Sequence, residues 1–369
     1  MYTLSDSGLN RSKNHFPLGL KEFAFKSFSV HSLVSLALVM LLYSLLLSQP
    51  SHPQLKCTAD LISARFDAYD LILEPDTDKP EWWAGAPSVV RDSTGMFYMA
   101  CRMRTADAPR GLRGYEIRLL ESSDGIHFRR IGAIAREAVP IPGFERPALL
   151  IDPVTKKFKL YACGPWQGGP FSIIKFNDVD RLQDIDPASA KPVIQPMQPL
   201  YERDITVLTY KDPVIFYQAE KEIYHCFVIG YIRRNEKIFH FTSKNGEDWT
   251  PVGDPHDSLL PLAGWHDFFV RPASVVPIGV GYLFFYEGSS AKWYDPVYNV
   301  VTGVGFTFDL HHIIDLTPDN PLVKSTTPGY FSTWRYSHWM RVEDELWAYA
   351  EVADTNNSHE IRLFRIKLQ

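Results

Sequence analysis

A repeat with a period near sixty residues is the feature that most constrains the fold of this chain. Each of its five segments pairs a short apolar strand with a second apolar and aromatic strand. The segments begin, in chain order, at Gly85, Glu145, Lys211, Val270 and Tyr336. Their opening positions, spaced 60, 66, 59 and 66 residues apart, are Pro87, Pro147, Pro213, Pro272 and His338. This regular spacing predicts five copies of one structural unit.

Each unit has room for one small antiparallel sheet. About sixty residues hold four strands with their loops, and five such sheets arranged radially form a β-propeller. The stretches SSDGIHF from Ser122 and SKNGEDW from Ser243 place Asp-Gly or Asn-Gly between strand-like segments, which indicates tight hairpins. The 27 Pro and 22 Gly disfavour long helices. We therefore predict an all-β, five-bladed β-propeller. A β-sandwich is the alternative, but it does not explain the period.

The composition excludes several functional classes. With 45% hydrophobic and 22% charged residues, the 369-residue chain has the composition of a folded globular protein. Its net charge of −5 gives no basic surface for nucleic acid, so we expect no nucleic-acid partner. No C-x-x-C pair, nucleotide loop or zinc-protease motif occurs, and we expect no cofactor and no metal. Cys101, Cys163 and Cys226 fall in apolar strands, which predicts buried thiols, although disulfides and the oligomeric state stay open.

A hydrophobic segment precedes the repeat. Residues 27–49 contain no Asp, Glu, Lys or Arg, and this length fits a membrane-spanning helix or a signal peptide. The basic residues before it, Arg11, Lys13, Lys21 and Lys26, predict a cytoplasmic N-terminus over residues 1–26. Residues 27–49 are interpreted as a signal anchor or signal peptide, 50–63 as a stalk and 64–369 as the propeller. The expectation is a single-pass membrane protein with an extracytoplasmic domain, or a secreted protein if the segment is cleaved.

Several motifs within the repeat resemble a known group of enzymes. The strand openings KDPVIF and ERPALL, the S-x-[DN]-G-x-x-[FW] turns and the stretches YEGSS and WMRVEDELWAYAEVAD are similar to those of the five-bladed propeller glycosidases. This broad group contains glycoside hydrolase families 32, 43 and 130, and the last third of the chain is most similar to the mannoside-phosphorylase type of family 130. Two positions depart from the pattern: Ala86 and Arg146 stand where acids are expected.

The resemblance implies where the catalytic acids lie. In these propellers the residues just before the opening proline face a central funnel. Asp212 directly precedes Pro213, and Glu145 matches the Glu-x-Pro opening that carries the general acid in family 43. Glycoside cleavage needs a proton donor and a carboxylate. We therefore expect Glu145 to be the proton donor, and Asp212 to be the base or to tune the donor. A simple turn-capping role for Asp212 is the alternative.

Several other acidic residues are further candidates for the site. Glu287 follows an apolar and aromatic strand and is the third candidate catalytic residue. Asp267 and Glu81 lie beside aromatic runs that suit sugar binding, and Glu351 and Asp354 resemble a final-blade sugar or metal position.

Arginine and tryptophan side chains suggest how a substrate would be held. Guanidinium groups bind carboxylate or phosphate through two parallel hydrogen bonds, and indole rings stack on sugar faces. The residues expected to bind substrate are Arg104, Arg146, Arg271, Arg335, Trp83, Asp267 and His338. The alternative is that the arginines pair with carboxylates to hold loops.

The expected function is hydrolysis of a glycosidic bond in an oligo- or polysaccharide, with an anionic sugar as one option. A glycoside phosphorylase is the second possibility, which the expected export of the domain argues against. A carbohydrate-binding propeller without catalysis is the third, because two expected acids are absent.

Overall fold

The computed structural model describes residue 61 and residues 64–196, 209–232, 235–253 and 258–368. Within these residues the chain forms twenty strands: β1 (Asp70–Leu73), β2 (Trp83–Arg91), β3 (Phe97–Arg104), β4 (Gly114–Ser122), β5 (Arg129–Ala135), β6 (Ala148–Ile151), β7 (Phe158–Pro165), β8 (Phe171–Lys175), β9 (Lys191–Ile194), β10 (Tyr210–Gln218), β11 (Ile223–Ile232), β12 (Asn235–Ser243), β13 (Thr250–Pro251), β14 (Phe269–Pro277), β15 (Tyr282–Ser289), β16 (Val301–Thr307), β17 (Ile314–Asp315), β18 (Trp334–Val342), β19 (Glu345–Ala353) and β20 (His359–Lys367). The short 3-10 helices of the same residues are Arg136–Ala138, Trp166–Gly168, Leu182–Asp184, Pro187–Ser189 and Gly264–His266.

The strands form five antiparallel four-stranded sheets, here called blades. Blades 1 to 4 are β2–β5, β6–β9, β10–β13 and β14–β17, and blade 5 is β18–β20 completed by β1. The first strands of the blades, β2, β6, β10, β14 and β18, contact one another in a closed ring around a central channel. The predicted all-β propeller is confirmed.

The ring is closed by a strand from the other end of the described chain. Strand β1 pairs with β20, so that the outermost strand of blade 5 comes from the residues before blade 1. The repeat did not predict this, because Asp70–Leu73 is too short to show a pattern. The arrangement ties the first and last parts of the propeller together.

The hydrophobic core lies between neighbouring blades. Each of the five apolar clusters combines side chains of two adjacent blades. In the cluster between blades 4 and 5, Phe285 stacks on Trp339 with ring centroids 4.0 Å apart. Every residue of β7 is buried, because a middle strand has another blade on each face. This explains why the second strand of each repeat is apolar without alternation.

The predicted outer hairpins are present, and each is held by the preceding blade. Gly125 and Gly246 adopt positive φ in the turns after β4 and β12, and their amides donate to Ser122 and Ser243. The hydroxyl of Tyr349 donates to the carbonyl of Gly125 at 2.8 Å, as that of Tyr161 does to Gly246 at 2.7 Å. The turn signal in the sequence therefore also marks a contact between blades.

The predicted membrane anchor over residues 27–49 lies outside the described residues. Among those that are described, no helix is long and apolar enough to cross a membrane. The expected single-pass membrane localisation is therefore corrected: the described fold contains no element that could provide the span.

The strand register corrects the alignment of the fifth unit. Gly85 pairs with Arg102 and Ser88 with Ala100, just as Arg335 pairs with Glu351 and His338 with Tyr349. Ser337, not His338, therefore occupies the place of Pro87. His338 lies one residue further along the inner strand.

Candidate active site

Three rings of side chains surround the end of the channel at which the inner strands begin, here called the funnel end. The first ring holds one residue near the beginning of each inner strand, at equivalent places in the five blades. It consists of Gly85, Glu145, Lys211, Arg271 and Arg335. The next residue in each strand forms the second ring, which consists of Ala86, Arg146, Asp212, Pro272 and Tyr336. The third ring lies on the second strands, opposite the first, and consists of Arg102, Cys163, Ile229, Glu287 and Glu351.

A β-bulge aims the second ring toward the channel. Ala86, Asp212 and Tyr336 have φ values of 51°, 55° and 49°, and the strand register shifts at each of them. An extra residue in one strand re-aims a side chain, and bulges occur often beside active sites. The recurrence of this strained conformation in three blades makes it part of the architecture.

Asp212 lies at the centre of the funnel end, and only 1% of its surface is exposed. Its carboxylate accepts the amide hydrogen of Arg146 at 3.1 Å and the hydroxyl of Tyr336 at 3.2 Å. Burial alone would raise the pKa of Asp212, but Lys211, Arg271 and Arg102 outweigh it and hold this pKa below its ordinary value. Asp212 is therefore an ionised, fixed carboxylate.

Glu145 lies next to Asp212. Because the amide of Arg146 follows Glu145 directly, Asp212 Oδ1 lies within about 6 Å of the Glu145 Cα by standard backbone dimensions. The side chain of Glu145 is 13% exposed and pairs with Arg102. Asp212, Glu287 and Glu351, the other acids predicted for this end, are fully buried. The structure thus brings Glu145 and Asp212 together and leaves Glu145 open to the funnel.

Glu351 is a buried carboxylate that organises its neighbours. It accepts hydrogen bonds from Arg102 at 3.1 Å, from Arg335 at 2.9 Å and from the amide of Ala86 at 3.1 Å, and it contacts His359 at 2.7 Å. All these groups are themselves buried. The pKa of Glu351 is lowered, because Arg335, His359 and Arg102 outweigh the opposing effect of burial. Its role is to hold two arginines of the funnel end in place.

Glu287 is the one acid of this group with a raised pKa. Burial raises the pKa of Glu287 to about 7, against the opposing effects of Arg146 and of the Ser337 amide that donates to Oε1 at 3.0 Å. Its other oxygen, Oε2, is buried and has no partner among the described residues. Glu287 is therefore the carboxyl of this group that gains and loses its proton near neutral pH.

The predicted arginines are mostly occupied by partners within the protein. Arg271 pairs with Glu236, which also accepts from Lys211 at 2.6 Å, and Arg335 pairs with Glu351. Arg146 donates to the carbonyls of Pro272 at 3.1 Å and Ala273 at 2.6 Å. The guanidinium of Arg146 reaches across the channel from blade 2 to blade 4.

Arg104 differs from the other arginines. Its guanidinium lies 3.6 Å from the ring centroid of Trp83 and donates to Tyr298 at 3.0 Å, and no carboxylate of the described residues lies within 4.0 Å of it. Its Nε has no hydrogen-bond partner there. The pKa of Arg104 is lowered, first by burial and then by Arg102. Within the described part of the chain, Arg104 is therefore a buried cation without a carboxylate partner.

Trp83 does not offer a ring face to a sugar in this structure. His359 stacks on it with centroids 4.0 Å apart, and the guanidinium of Arg104 covers it at 3.6 Å. Two groups so close to one ring must occupy opposite faces. Trp83 therefore packs against the guanidinium of Arg104.

His338 and Asp267 lie apart from the carboxylates. His338 lines a cavity of about 380 Å³, which is bounded by the inner strands beyond Asp212 and also by Arg146. Burial, followed by the charge of Arg146, lowers the pKa of His338 to about 3. Asp267 accepts the amide of Ala291 at 2.9 Å at the surface, before β14.

Reasoning from the sequence missed several members of the site. Tyr336 donates to Asp212, Glu236 pairs two cations and Tyr298 covers Arg104. Each lies at least 25 residues from its partner in the sequence, so that no local motif marks it. Among the described residues, no group of three His, Cys, Asp or Glu side chains is arranged to hold a metal ion.

Comparison with known proteins relates the fold to solved structures. No protein-family model matches the chain, and no curated protein matches it. The structure of an RGII complex of BT0996 is 14% identical with a TM-score of 0.62, and the match covers 85% of the present protein and 95% of that one. The fold is that of the glycoside hydrolase-like propellers.

Two further glycoside hydrolase-like propellers extend the comparison. A β-1,2-mannobiose phosphorylase from Listeria innocua is 13% identical with a TM-score of 0.57, over 80% of the present protein and 94% of that one. An exo-1,5-α-L-arabinanase from a bovine ruminal metagenomic library is 15% identical with a TM-score of 0.52, over 79% and 94%. These propellers carry both hydrolytic and phosphorolytic names, so the fold alone does not choose between the two reactions.

Proposed function

We propose that this protein is a glycoside hydrolase that cleaves oligo- or polysaccharides at the funnel end of its channel. The observation that carries the proposal is the hydrogen bond of the Arg146 amide to Asp212, which joins the openings of blades 2 and 3 and sets Glu145 beside Asp212. Glycosidic cleavage needs a proton donor and a carboxylate, and the acids of the funnel end supply candidates for both.

The electrostatics favour roles that differ from those expected from the sequence. Arg102 forms an ion pair with Glu145, whereas burial raises the pKa of Glu287. We therefore assign Glu145 to the activation of water or to direct attack on the sugar, and Glu287 to holding the proton. Asp212 is a positioning residue, because its fixed charge orders Tyr336 and the Arg146 amide.

The pairing of the arginines supports hydrolysis over phosphorolysis. A phosphorylase must bind free phosphate, for which unpaired cations are needed. Arg102, Arg271 and Arg335 are instead neutralised by carboxylates, and Arg146 is held by carbonyls. Arg104 is the remaining cation of the predicted set, and we propose that it binds the carboxylate of an anionic sugar.

A product assay tests the proposal. Purified full-length protein is incubated with a panel of neutral and anionic oligosaccharides, with and without inorganic phosphate, and products are separated by anion-exchange chromatography. The proposal expects free sugar in both conditions, and about 10²-fold slower release by Asp212→Asn, because loss of the charge that holds the Arg146 amide would misplace Glu145. Sugar phosphate that forms only with phosphate would favour a phosphorylase. No product from any glycan, with binding retained, would favour a binding propeller.

A further inference from the structure

Two exposed tyrosines lie close together on the funnel face of the propeller. Tyr294 and Tyr330 are 67% and 73% exposed, and their ring centroids are 6.0 Å apart. Tyr294 lies in the loop between β15 and β16, and Tyr330 precedes β18. Both segments lie at the end where inner strands begin, which is the end that holds Asp212. We call these two residues the tyrosine platform.

A buried asparagine fixes the backbone beneath the tyrosine platform. The side-chain amide of Asn299 donates to the carbonyls of Tyr294 at 3.1 Å and Tyr330 at 3.3 Å. Its oxygen accepts from the amide and the hydroxyl of Ser332, at 2.8 Å and 2.7 Å. One side chain thus clamps two loops from different blades. Exposed aromatic rings on a fixed backbone lose little entropy when a ligand covers them.

A continuous series of contacts connects the platform to the candidate active site. Tyr294 and Phe331 have ring centroids 6.2 Å apart, as do Phe331 and Tyr298. The Tyr298 hydroxyl accepts from Arg104, and its ring also lies under the guanidinium of Arg110 at 4.5 Å. The platform is therefore an outward extension of the same funnel.

We propose that the tyrosine platform is an outer subsite, which stacks on a sugar ring of a glycan whose neighbouring units extend into the funnel. Flat aromatic rings with a polar hydroxyl suit the apolar face and the hydroxyls of a sugar. The pair could cover two successive rings, so the preferred ligand is a chain of several sugars rather than a monosaccharide. This inference rests on the proposed function, because it places the glycan by reference to the carboxylates.

Binding to polysaccharide tests the inference without need of turnover. The full-length protein is run through native gels that contain polygalacturonate, arabinan or mannan, and retardation is compared among Tyr294→Ala, Tyr330→Ala and the double variant. Each single change is expected to weaken binding about tenfold, which corresponds to about 1.4 kcal/mol. Tyr294→Phe and Tyr330→Phe keep the ring and should bind within about threefold of the unmodified protein.

Phe308→Ala is the matched control, because Phe308 is 66% exposed and lies on the outer part of blade 4. It should bind like the unmodified protein. Equal retardation of the double alanine variant and the unmodified protein in every gel would overturn the inference, as would the absence of retardation in all three gels.

Hydrolysis measured in parallel separates this inference from the proposed function. If Asp212→Asn stops hydrolysis while the alanine variants bind normally, the platform is wrong and the hydrolase assignment stands. If the protein cleaves no glycan but loses retardation in the alanine variants, the platform stands and the hydrolase assignment fails.

Discussion

Glu351 of blade 5 accepts the amide hydrogen of Ala86 of blade 1 at 3.1 Å. Ala86 stands where an acid was expected from the sequence, and a carboxylate from the last blade contacts its amide instead. This contact requires a glycine at position 85, since a Cβ there would lie 1.8 Å from Glu351 Oε2.

Gly85→Ala should therefore destabilise the propeller strongly. The added methyl group would displace a carboxylate that pairs with Arg102 and Arg335, and disruption of a buried ion pair costs about 3–5 kcal/mol. Thermal and urea unfolding measure the effect. Gly132→Ala is the control, because its nearest contact would be 3.6 Å and its effect should be small. Equal stability of the two variants would contradict the packing described here.

Glu287 should make stability depend on pH. Its pKa is raised from 4.5 to about 7 in the folded protein, so that between these values the folded state keeps a proton that the unfolded chain has lost. Stability therefore falls as pH rises through this window, by at most about 3 kcal/mol. Glu287→Gln should remove this dependence and be more stable than the unmodified protein at pH 8.

Unfolding of Glu287→Gln from pH 4 to 8 provides the measurement, with exposed Glu220→Gln as the control. If the two variants show the same pH slope, Glu287 does not titrate in this range.

The loss of kcat in Glu287→Gln should depend on the leaving group of the substrate. A dinitrophenolate leaves without a proton, whereas a sugar alkoxide needs one. On a dinitrophenyl glycoside of the released sugar, Glu287→Gln should retain most of its kcat, yet lose about 10² to 10⁴-fold on the natural glycan. Equal losses on both substrates would remove Glu287 from the proton-donating role.

Arg104 should distinguish anionic from neutral glycans. Arg104→Gln removes a cation that pairs with no carboxylate of the described residues, and hydrogen bonds to charged groups contribute about 1.5–3 kcal/mol. The KM for an anionic glycan should therefore rise about 10- to 100-fold, whereas the KM for its carboxyl-reduced form should change little. Arg181→Gln, on an exposed ion pair of blade 2, is the control. An equal rise for both glycans would argue against carboxylate recognition.

The sequence was sufficient to predict the architecture, because period and turn chemistry are local. The turns at Gly125 and Gly246, the apolar strand β7 and the Asp212 opening all follow from short stretches. Strand β1, which closes the ring, is too short to show a strand pattern in the sequence. The register of blade 5 could not be read either, because Ser337 stands where blades 1 to 3 have the proline that marks the opening.

The chemistry of the site depended on contacts between blades. Arg102 pairs with Glu145 and Glu351, which lie 43 and 249 residues away in the sequence. These partners are far apart in the sequence, so the sequence alone could not reveal the ion pair of Glu145 or the burial of Glu287, on which their proposed roles rest. Trp83 was expected to contact sugar for the same reason, since nothing near it in sequence reveals His359.

Chemical rescue of Glu145→Ala tests most directly the claim that a carboxylate at the funnel end cleaves the glycan. Arg102 keeps Glu351 as a partner in this variant, and the cavity left by the side chain can admit a small anion. Turnover should fall about 10² to 10⁴-fold and recover in proportion to added azide or formate, with glycan binding nearly unchanged. Turnover of Glu145→Ala equal to that of the unmodified protein, without any added anion, would contradict the account.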